Sequence, residues 1–393
     1  MHSRLITWLL ALAGAALVLY MGTPTEDVYW SDFNVEAWPA FQRLIDGDLS
    51  GFLSLGPLGY GGSMVLRAPF GAVAGSLGFE QPGVYRVISL PCLLALAALA
   101  VHLAGRARAA HPEGRWWLLV LALAGASPLA WQAVWYGHSE ELLTTALAVG
   151  AVLAALRDRT ILAGVMLGAA VACKQWAVIA VLPVVLAAPR DHIRLLFTAG
   201  GTGAALLAPI LLADPGAFAA AQKGVVSSAQ WFRPRQLWWP FGATPPPGPD
   251  VPPGAAVTPG WLAPIAKPLI VALTVPLSAL WAYRRRGPRT DALLLLSLLL
   301  LIRCVLDPWN VIYYHLPLVV ALLAWEVLDG RRIPVLTLAT TGAVWLTFYT
   351  YDVAYSTGPW LAYLAWTLPL AAHLAWRLYR PALPRLARPA LAA

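Results

Sequence analysis

Apolar runs separated by short, arginine-bearing polar segments recur along the whole chain, and this pattern predicts a polytopic bundle of transmembrane helices. The alternating ten-residue segments of a membrane β-barrel are absent. Spans are expected at 6–20, 84–103, 116–134, 140–156, 161–173, 176–189, 193–213, 262–283, 291–306, 311–328, 333–350 and 359–379, about twelve in all. The expected architecture is therefore all-α, one membrane-embedded domain over residues 1–393. The first run, preceded by Arg4, reads as an uncleaved anchor, because no small-x-small cleavage site precedes the polar segment after it. Residues 62–80 are only moderately apolar, interrupted by Arg67 and Pro69, and are expected to be interfacial or re-entrant structure completing a large first external loop over about 22–83.

Two places break the pattern. In the first, Tyr29 to Asp48 (YWSDFNVEAWPAFQRLIDGD), four carboxylates, Asp32, Glu36, Asp46 and Asp48, lie among aromatics. A helix from Asp32 onward places Asp32 and Glu36 one turn apart, with Phe33, Ala37, Ala40, Phe41 and Leu44 forming an apolar stripe. Such an amphipathic helix lies on a membrane surface and holds its acids over a site. In the second, residues 161–189 hold two predicted spans in a length of about 44 Å of helix, whereas two full crossings need about 60 Å. Two short helices must therefore meet at an elbow, CKQW, with Lys174 and Gln175 at its tip. An ionisable residue at membrane depth is a functional candidate by default.

Composition agrees with this class: 59% of the residues are hydrophobic and 12% charged, and the mean hydropathy is +0.66. The formal net charge of +8 does not indicate nucleic acid, because the arginines flank spans. With both termini cytoplasmic, the inner segments collect Arg4, Arg106, Arg108, Arg115, Arg157, Arg159, Arg190, Arg194, Arg284, Arg285, Arg286, Arg289, Arg331, Arg332, Arg377, Arg380, Arg385 and Arg388, 18 of the 27 basic residues. The same assignment leaves 13 of the 19 carboxylates on or near the outside, which the orientation rule does not require. That excess points to an external site. Cys92, Cys173 and Cys304 sit in or beside apolar runs and offer neither a disulfide framework nor metal-ligand spacing.

Other external features converge on the same face. The WYGHSEE turn brings His138, Glu140 and Glu141 between two spans, and the external segment at about 214–261 carries Lys223, then WFRPRQLWWPF, then a Pro/Gly-rich tether. Trp231, Phe232, Trp238, Trp239 and Phe241 suit the headgroup level, and Arg233 and Arg235 among them are placed to grip a lipid phosphate. A further turn, IRCVLDPWNVIYYHLP, carries Arg303, Asp307, Asn310, Tyr313, Tyr314 and His315. The candidate phosphate-binding set is thus Lys174, Arg233, Arg235 and Arg303. The candidate substrate-binding set is His138, Glu140, Glu141, Gln175, Asp307, Asn310, Tyr314 and His315.

These stretches, from SDF and EAWPAFQRLIDGD through GHSEELLTTALAVGAVLAALRDRTILAGVMLGAAVACKQWAVIAVLPVVL to LDPWNVIYYHLPL, carry a resemblance. Over roughly residues 5–330 the chain resembles the GT-C superfamily of integral-membrane glycosyltransferases, and within it the polyprenol-phosphate-mannose-dependent α-mannosyltransferases of the family 87 type. The resemblance implies a polyprenyl-phosphate sugar donor, a glycolipid, polysaccharide or protein acceptor, chemistry on the outer face of the plasma (inner) membrane, and an acid in the first external loop. Asp32 in SDF matches that acid, with Glu36, Asp27 and Glu26 as substitutes, and the short final region and the proline-rich stretch depart from the family pattern.

A carboxylate base and a lipid-borne leaving phosphate suffice for an inverting displacement, so neither nucleotide-binding glycine loop nor cofactor is required, and GxGxxG and GxxxxGK[ST] are absent. Glu140, Glu141 and His138 offer donors for a divalent metal, but HSEE lacks the spacing of a helical ligand pair. The competing class is a transporter or flippase, whose sites sit on interrupted helices repeated in both halves. Only one interrupted pair, at 161–189, is visible. A catalytically silent lipid-binding protein is the third class, against which the joint presence of Asp32, Lys174 and the Arg233/Arg235 pair argues.

Overall fold

The computed structural model describes residues 2–23, 32–55, 61–220, 232–245, 254–284, 287–350 and 355–380. Glu26, Asp27, Lys223, Trp231, Arg285, Arg286, Arg385 and Arg388 lie outside the described residues, as does much of the proline-rich tether. Among the described residues the chain is helical, and the β structure is one isolated antiparallel bridge, Ala243 to Val257.

Helix α1 (His2–Gly22) leads to a π-helical turn, Phe33–Ala37, and to α2 (Trp38–Ile45), α3 (Leu49–Ser54) and α4 (Gly61–Ser76). Then come α5 (Gln81–Ala110), α6 (Trp117–Ala124), α7 (Pro128–Trp135), α8 (Glu140–Leu156) and α9 (Thr160–Cys173). A 3-10 turn, Gln175–Ala180, feeds α10 (Val181–Ala187), followed by α11 (His192–Ala213), α12 (Ala263–Arg284) and α13 (Asp291–Leu306). A second 3-10 turn, Ile312–His315, precedes α14 (Leu316–Leu328), α15 (Val335–Tyr349) and α16 (Thr357–Tyr379).

Among the described residues, five helical stretches are long and apolar enough to cross a membrane: Arg4–Gly22, Gln81–Ala110, Trp117–Trp135, His192–Ala213 and Ala263–Arg284. Shorter apolar helices, including Thr160–Cys173 and Ile312–Leu328, fill the space between them. Helices α8, α13 and α14 form the centre and are buried along nearly their whole length. The rim helices keep large apolar side chains outside, as at Phe197 and Leu212 on α11, which suits a surface facing lipid rather than water.

The stretch expected as a single span at 116–134 is two helices. Ser127 accepts a hydrogen bond from the Ala130 amide at 3.1 Å and Pro128 occupies the first helical position, so Ser-Pro starts a new helix where α6 has just ended. Helix α4 is a 16-residue element packed against α2, α5, α9 and α11. Its Arg67 is fully enclosed. Helix α9 meets α11 closely because Gly164 and Gly168 present bare backbone: a Cβ at Gly168 would collide with the Ala199 carbonyl oxygen.

Helix ends inside the bundle are closed by side chains from elsewhere in the chain. Glu326 of α14, fully buried, accepts from the Leu336 and Thr337 amides at 3.0 and 2.9 Å and from the Thr337 hydroxyl at 2.8 Å, capping α15 from a neighbouring helix. Arg289 donates to the carbonyls of Ala155 and Ala187, at the last turns of α8 and α10, and pairs with Asp158 at 3.0 Å. Replacing Glu326 by Gln removes acceptor capacity from the three donors that converge on it. Glu326→Gln is expected to lower stability in detergent by about 1–3 kcal/mol, read as a drop in the thermal unfolding temperature with the helical content intact.

Candidate active site

The predicted acids and bases of the first half of the chain meet at one place, where the Phe33–Ala37 turn, α4, the turn between α7 and α8, and the elbow after α9 converge. Asp32 is brought there by its backbone, whose amide donates to the Tyr136 carbonyl at 3.0 Å. Phe33 anchors the turn in the core, its ring 4.6 Å from that of Tyr85 and 6.5 Å from that of Phe41. Gly137 is the residue this approach requires: its φ is +91°, and a Cβ there would collide with the Phe33 amide nitrogen.

A continuous chain of charged contacts runs inward from Asp32. Asp32 Oδ2 lies 2.8 Å from His138 Nε2, and His138 Nδ1 lies 2.8 Å from Glu140 Oε1. The same Glu140 oxygen is 3.0 Å from Lys174 Nζ, which also reaches Glu141 Oε1 at 3.5 Å. Arg67 Nη2 approaches Glu140 Oε2 at 3.7 Å, and the Trp176 indole donates to Glu141 Oε2 at 2.9 Å. Glu140 and Glu141 open α8, so the positive end of that helix also favours their charge. Burial rises along the chain: the Asp32 side chain is 47% exposed, that of His138 8%, and that of Glu140 not at all.

Both ring nitrogens of His138 face carboxylate oxygens, and only a doubly protonated ring donates to both. Burial and the Lys174 charge push its pKa down, but Glu140 and the hydrogen bonds to Asp32 and Glu140 outweigh them and raise it from 6.5 to about 9. The site therefore carries an imidazolium between two acids at neutral pH.

The remaining predicted residues fall into two groups. Glu36 is exposed and acts electrostatically on Lys174, and Gln175, half-buried, follows Lys174 in the elbow. Arg303 stands against the far side of the same cluster, its guanidinium 5.1 Å from the Trp176 ring and 4.3 Å from that of Tyr314. It is buried, Nη1 donates to the Tyr314 carbonyl at 3.4 Å, and among the described residues it has no ion pair. Asp307 accepts from the Trp309 amide and, with Arg303, acts on Lys267 of α12.

The second group belongs to a strap at 232–242 that lies across helix ends. Arg235, buried, donates to the carbonyls of Thr347 and Phe348 at 3.0 and 3.3 Å, at the last turn of α15, and Asn310 holds the Arg235 carbonyl at 2.6 Å. The Leu237 amide and the Trp238 indole reach the carbonyls of Val305 and Leu306 at the end of α13. Phe232, expected at the headgroup level, is fully buried with Leu262 and Ala266. Arg233 stacks on Trp309 at 4.9 Å. His315 sits in an aromatic cage, with Nδ1 on the Ile312 carbonyl and Nε2 2.9 Å from the Tyr363 hydroxyl, away from the Asp32 chain.

Arg67, Ser139, Trp176 and Tyr313 complete the cluster and were not among the candidates. Arg67 was legible only as an interruption of an apolar stretch, and Tyr313, whose ring lies 5.1 Å from that of His138, only as one aromatic in a run of them. Among the described residues no three His, Cys, Asp or Glu side chains converge as ligands for a metal ion.

The model of glycosyltransferase family 87 matches residues 62–308, more than half of the chain. The chain belongs to glycosyltransferase family 87. It is accordingly a membrane glycosyltransferase, which requires a sugar donor and an acceptor. The matched segment of this family 87 member contains Arg67, the His138–Glu141 turn, Lys174 and Arg303, while Asp32 and Glu36 lie ahead of it. Among curated proteins, none matches the chain.

Because folding raises the His138 pKa from 6.5 to about 9, its stabilisation is complete below the lower value and is lost as pH rises through the upper one. The thermal unfolding temperature in detergent is expected to fall between about pH 7 and about pH 10, and His138→Gln to flatten that slope. Gly137→Ala, which forces a side chain into a left-handed backbone and against Phe33, is expected to cost about 1–3 kcal/mol and to be read in the same unfolding assay.

Proposed function

We propose that the protein transfers a sugar, mannose or another hexose or pentose, from a polyprenyl-phosphate donor to a glycolipid, polysaccharide or protein acceptor. The reaction takes place on the outer face of the plasma membrane, within a bundle of about twelve spans whose termini are both cytoplasmic. The observation that carries the reading is the half-exposed Asp32 carboxylate, held by a buried imidazolium at the head of an ion network in a family 87 chain.

Asp32 is the base. Its Oδ2 is engaged by His138, which leaves Oδ1 to take the acceptor hydroxyl proton. The acceptor oxygen attacks the anomeric carbon as the bond from that carbon to the phosphate oxygen breaks, inverting the centre in one step, and polyprenyl phosphate departs with the electron pair. No covalent intermediate on the enzyme is needed.

Of the four cations proposed for the phosphate, Lys174 is already bonded to Glu140 and Glu141, and Arg235 to backbone carbonyls of α15. Arg303 is the one best supported as the phosphate ligand. It is held flat between Trp176 and Tyr314 with most of its donors uncommitted to any acid among the described residues. Arg233, stacked on Trp309, serves the lipid side. Glu141, Gln175, Asp307 and Tyr314 border the sugar, and Asn310 and His315 support the wall behind it.

The test is sugar transfer by the purified protein in lipid, offered a panel of polyprenyl-phosphate sugars and glycolipid acceptors. Asp32→Asn is expected to reduce transfer by about 10²–10⁴-fold while donor binding persists. Transfer at the wild-type rate would remove Asp32 from the role of base and make Glu36 the next candidate. Failure of the wild type to bind any donor would remove the lipid-donor reading itself.

A further inference from the structure

Arg67 is the charged residue the proposed reaction leaves without a task. It sits in the middle of α4, 1% exposed, and each of its nitrogens is directed. Nε donates to the Ser63 carbonyl and Nη2 to the Ser63 hydroxyl, both at 3.2 Å, which fixes the guanidinium plane against its own helix. Nη1 donates to the Ser139 hydroxyl at 3.2 Å, and Nη2 faces Glu140 Oε2 at 3.7 Å. One arginine thus holds two consecutive residues of the turn that also carries His138.

The division of labour on Glu140 is unequal. Oε1 serves both His138 and Lys174, whereas Oε2 is buried without a hydrogen bond and has Arg67 as its neighbouring cation. A carboxylate oxygen at that depth without counter-charge is costly. With Arg67 neutralised, the carboxyl group relieves the cost by turning Oε2 towards Lys174, which withdraws Oε1 from His138 Nδ1.

We propose that Arg67 is a positioning residue for glycosyl transfer: it fixes the rotation of Glu140, and through Glu140 keeps the His138 ring aligned on Asp32. The proposal rests on the reading of Asp32 as base. The groups facing His138 are Asp32 at the Phe33–Ala37 turn, Glu140 from α8, Lys174 from the elbow and Tyr313 from the turn before α14, with Arg67 behind Glu140 from α4. Losing the Nδ1 acceptor leaves the ring held by one hydrogen-bonded acid instead of two, and it is then free to turn from Asp32.

The experiment uses the full-length protein in lipid with Arg67→Gln, Arg67→Lys, Glu140→Gln and the Arg67→Gln/Glu140→Gln double variant. Arg67→Gln is expected to lower kcat by about tenfold or more, with the donor KM within about twofold, and Arg67→Lys to recover most of the loss. The double variant should be no slower than Glu140→Gln alone, because one residue acts through the other. Additive losses, or a raised donor KM with kcat intact, overturn the proposal. If Arg67→Gln does not fold, Ser139→Ala removes one of the two ties to the turn and should show a smaller loss with the same split, and wild-type kinetics there count against it.

A second readout needs no substrate. Nitrogen NMR of histidine-labelled protein at about pH 8 is expected to show the His138 Nδ1–H hydrogen-bonded in the wild type and its resonance shifted by loss of that bond in Arg67→Gln. An unshifted Nδ1 resonance in Arg67→Gln overturns the positioning role even if transfer is never observed, whereas transfer that survives Asp32→Asn removes the base assignment and leaves this readout untouched.

Discussion

A fully buried carboxylate must be paired or hydrogen-bonded, and at Glu140 this chain meets that requirement with counter-charge. Three cationic groups from three different elements, Arg67 from α4, His138 from the turn before α8 and Lys174 from the elbow after α9, close on one side chain. Their convergence gives little net stability once desolvation is counted, because burying paired charges roughly cancels the attraction between them. What it supplies is a fixed geometry. The half-exposed Asp32 at the rim is held by groups whose own positions are already determined, and that is the condition under which a base and a developing charge meet in a productive arrangement.

The same economy of partners governs the helix ends. Within a bundle, terminal carbonyls and amides have no water to turn to, so side chains that read as charge in the sequence become caps in the fold. Glu326 closes the start of α15, Arg289 the ends of α8 and α10, and Arg235 the end of α15. The strap at 232–242 does for α13 what a water shell would do at a soluble helix end.

Helix positions were legible because apolar runs of membrane length carry the signal on their own, and the elbow was legible because residues 161–189 are too short for two full crossings and a single crossing would put the arginine clusters at 284–289 and 331–332 outside. The break at Ser127 was hidden by the continuous apolarity around it, although Ser-Pro is a helix-start signal. In the site, Asp32, His138, Glu140, Glu141, Lys174 and Arg303 stood out as polar residues in external or elbow positions, and the fold gathers them. Arg67 did not, since a single arginine in a half-apolar stretch has no spacing to betray its partner 73 residues later in the chain, Glu140. Arg235 and His315 carried the same chemical signature as the site residues but answer to backbone carbonyls and to an aromatic cage. Composition cannot separate a guanidinium that binds a ligand from one that binds a helix end.

Arg289 has a further consequence when set beside the acid cluster. Helix α8 and the segment that runs from the elbow through α10 are joined at one end by its donation to Ala155 and Ala187 and at the other by the contacts of Glu140 and Glu141 with Lys174. Tied at both ends, the two behave as the uprights of a frame of constant height. A bilayer that thins or thickens is then met by tilting of the sparsely packed outer helices such as α12, while the distance from the elbow to the acids stays the same.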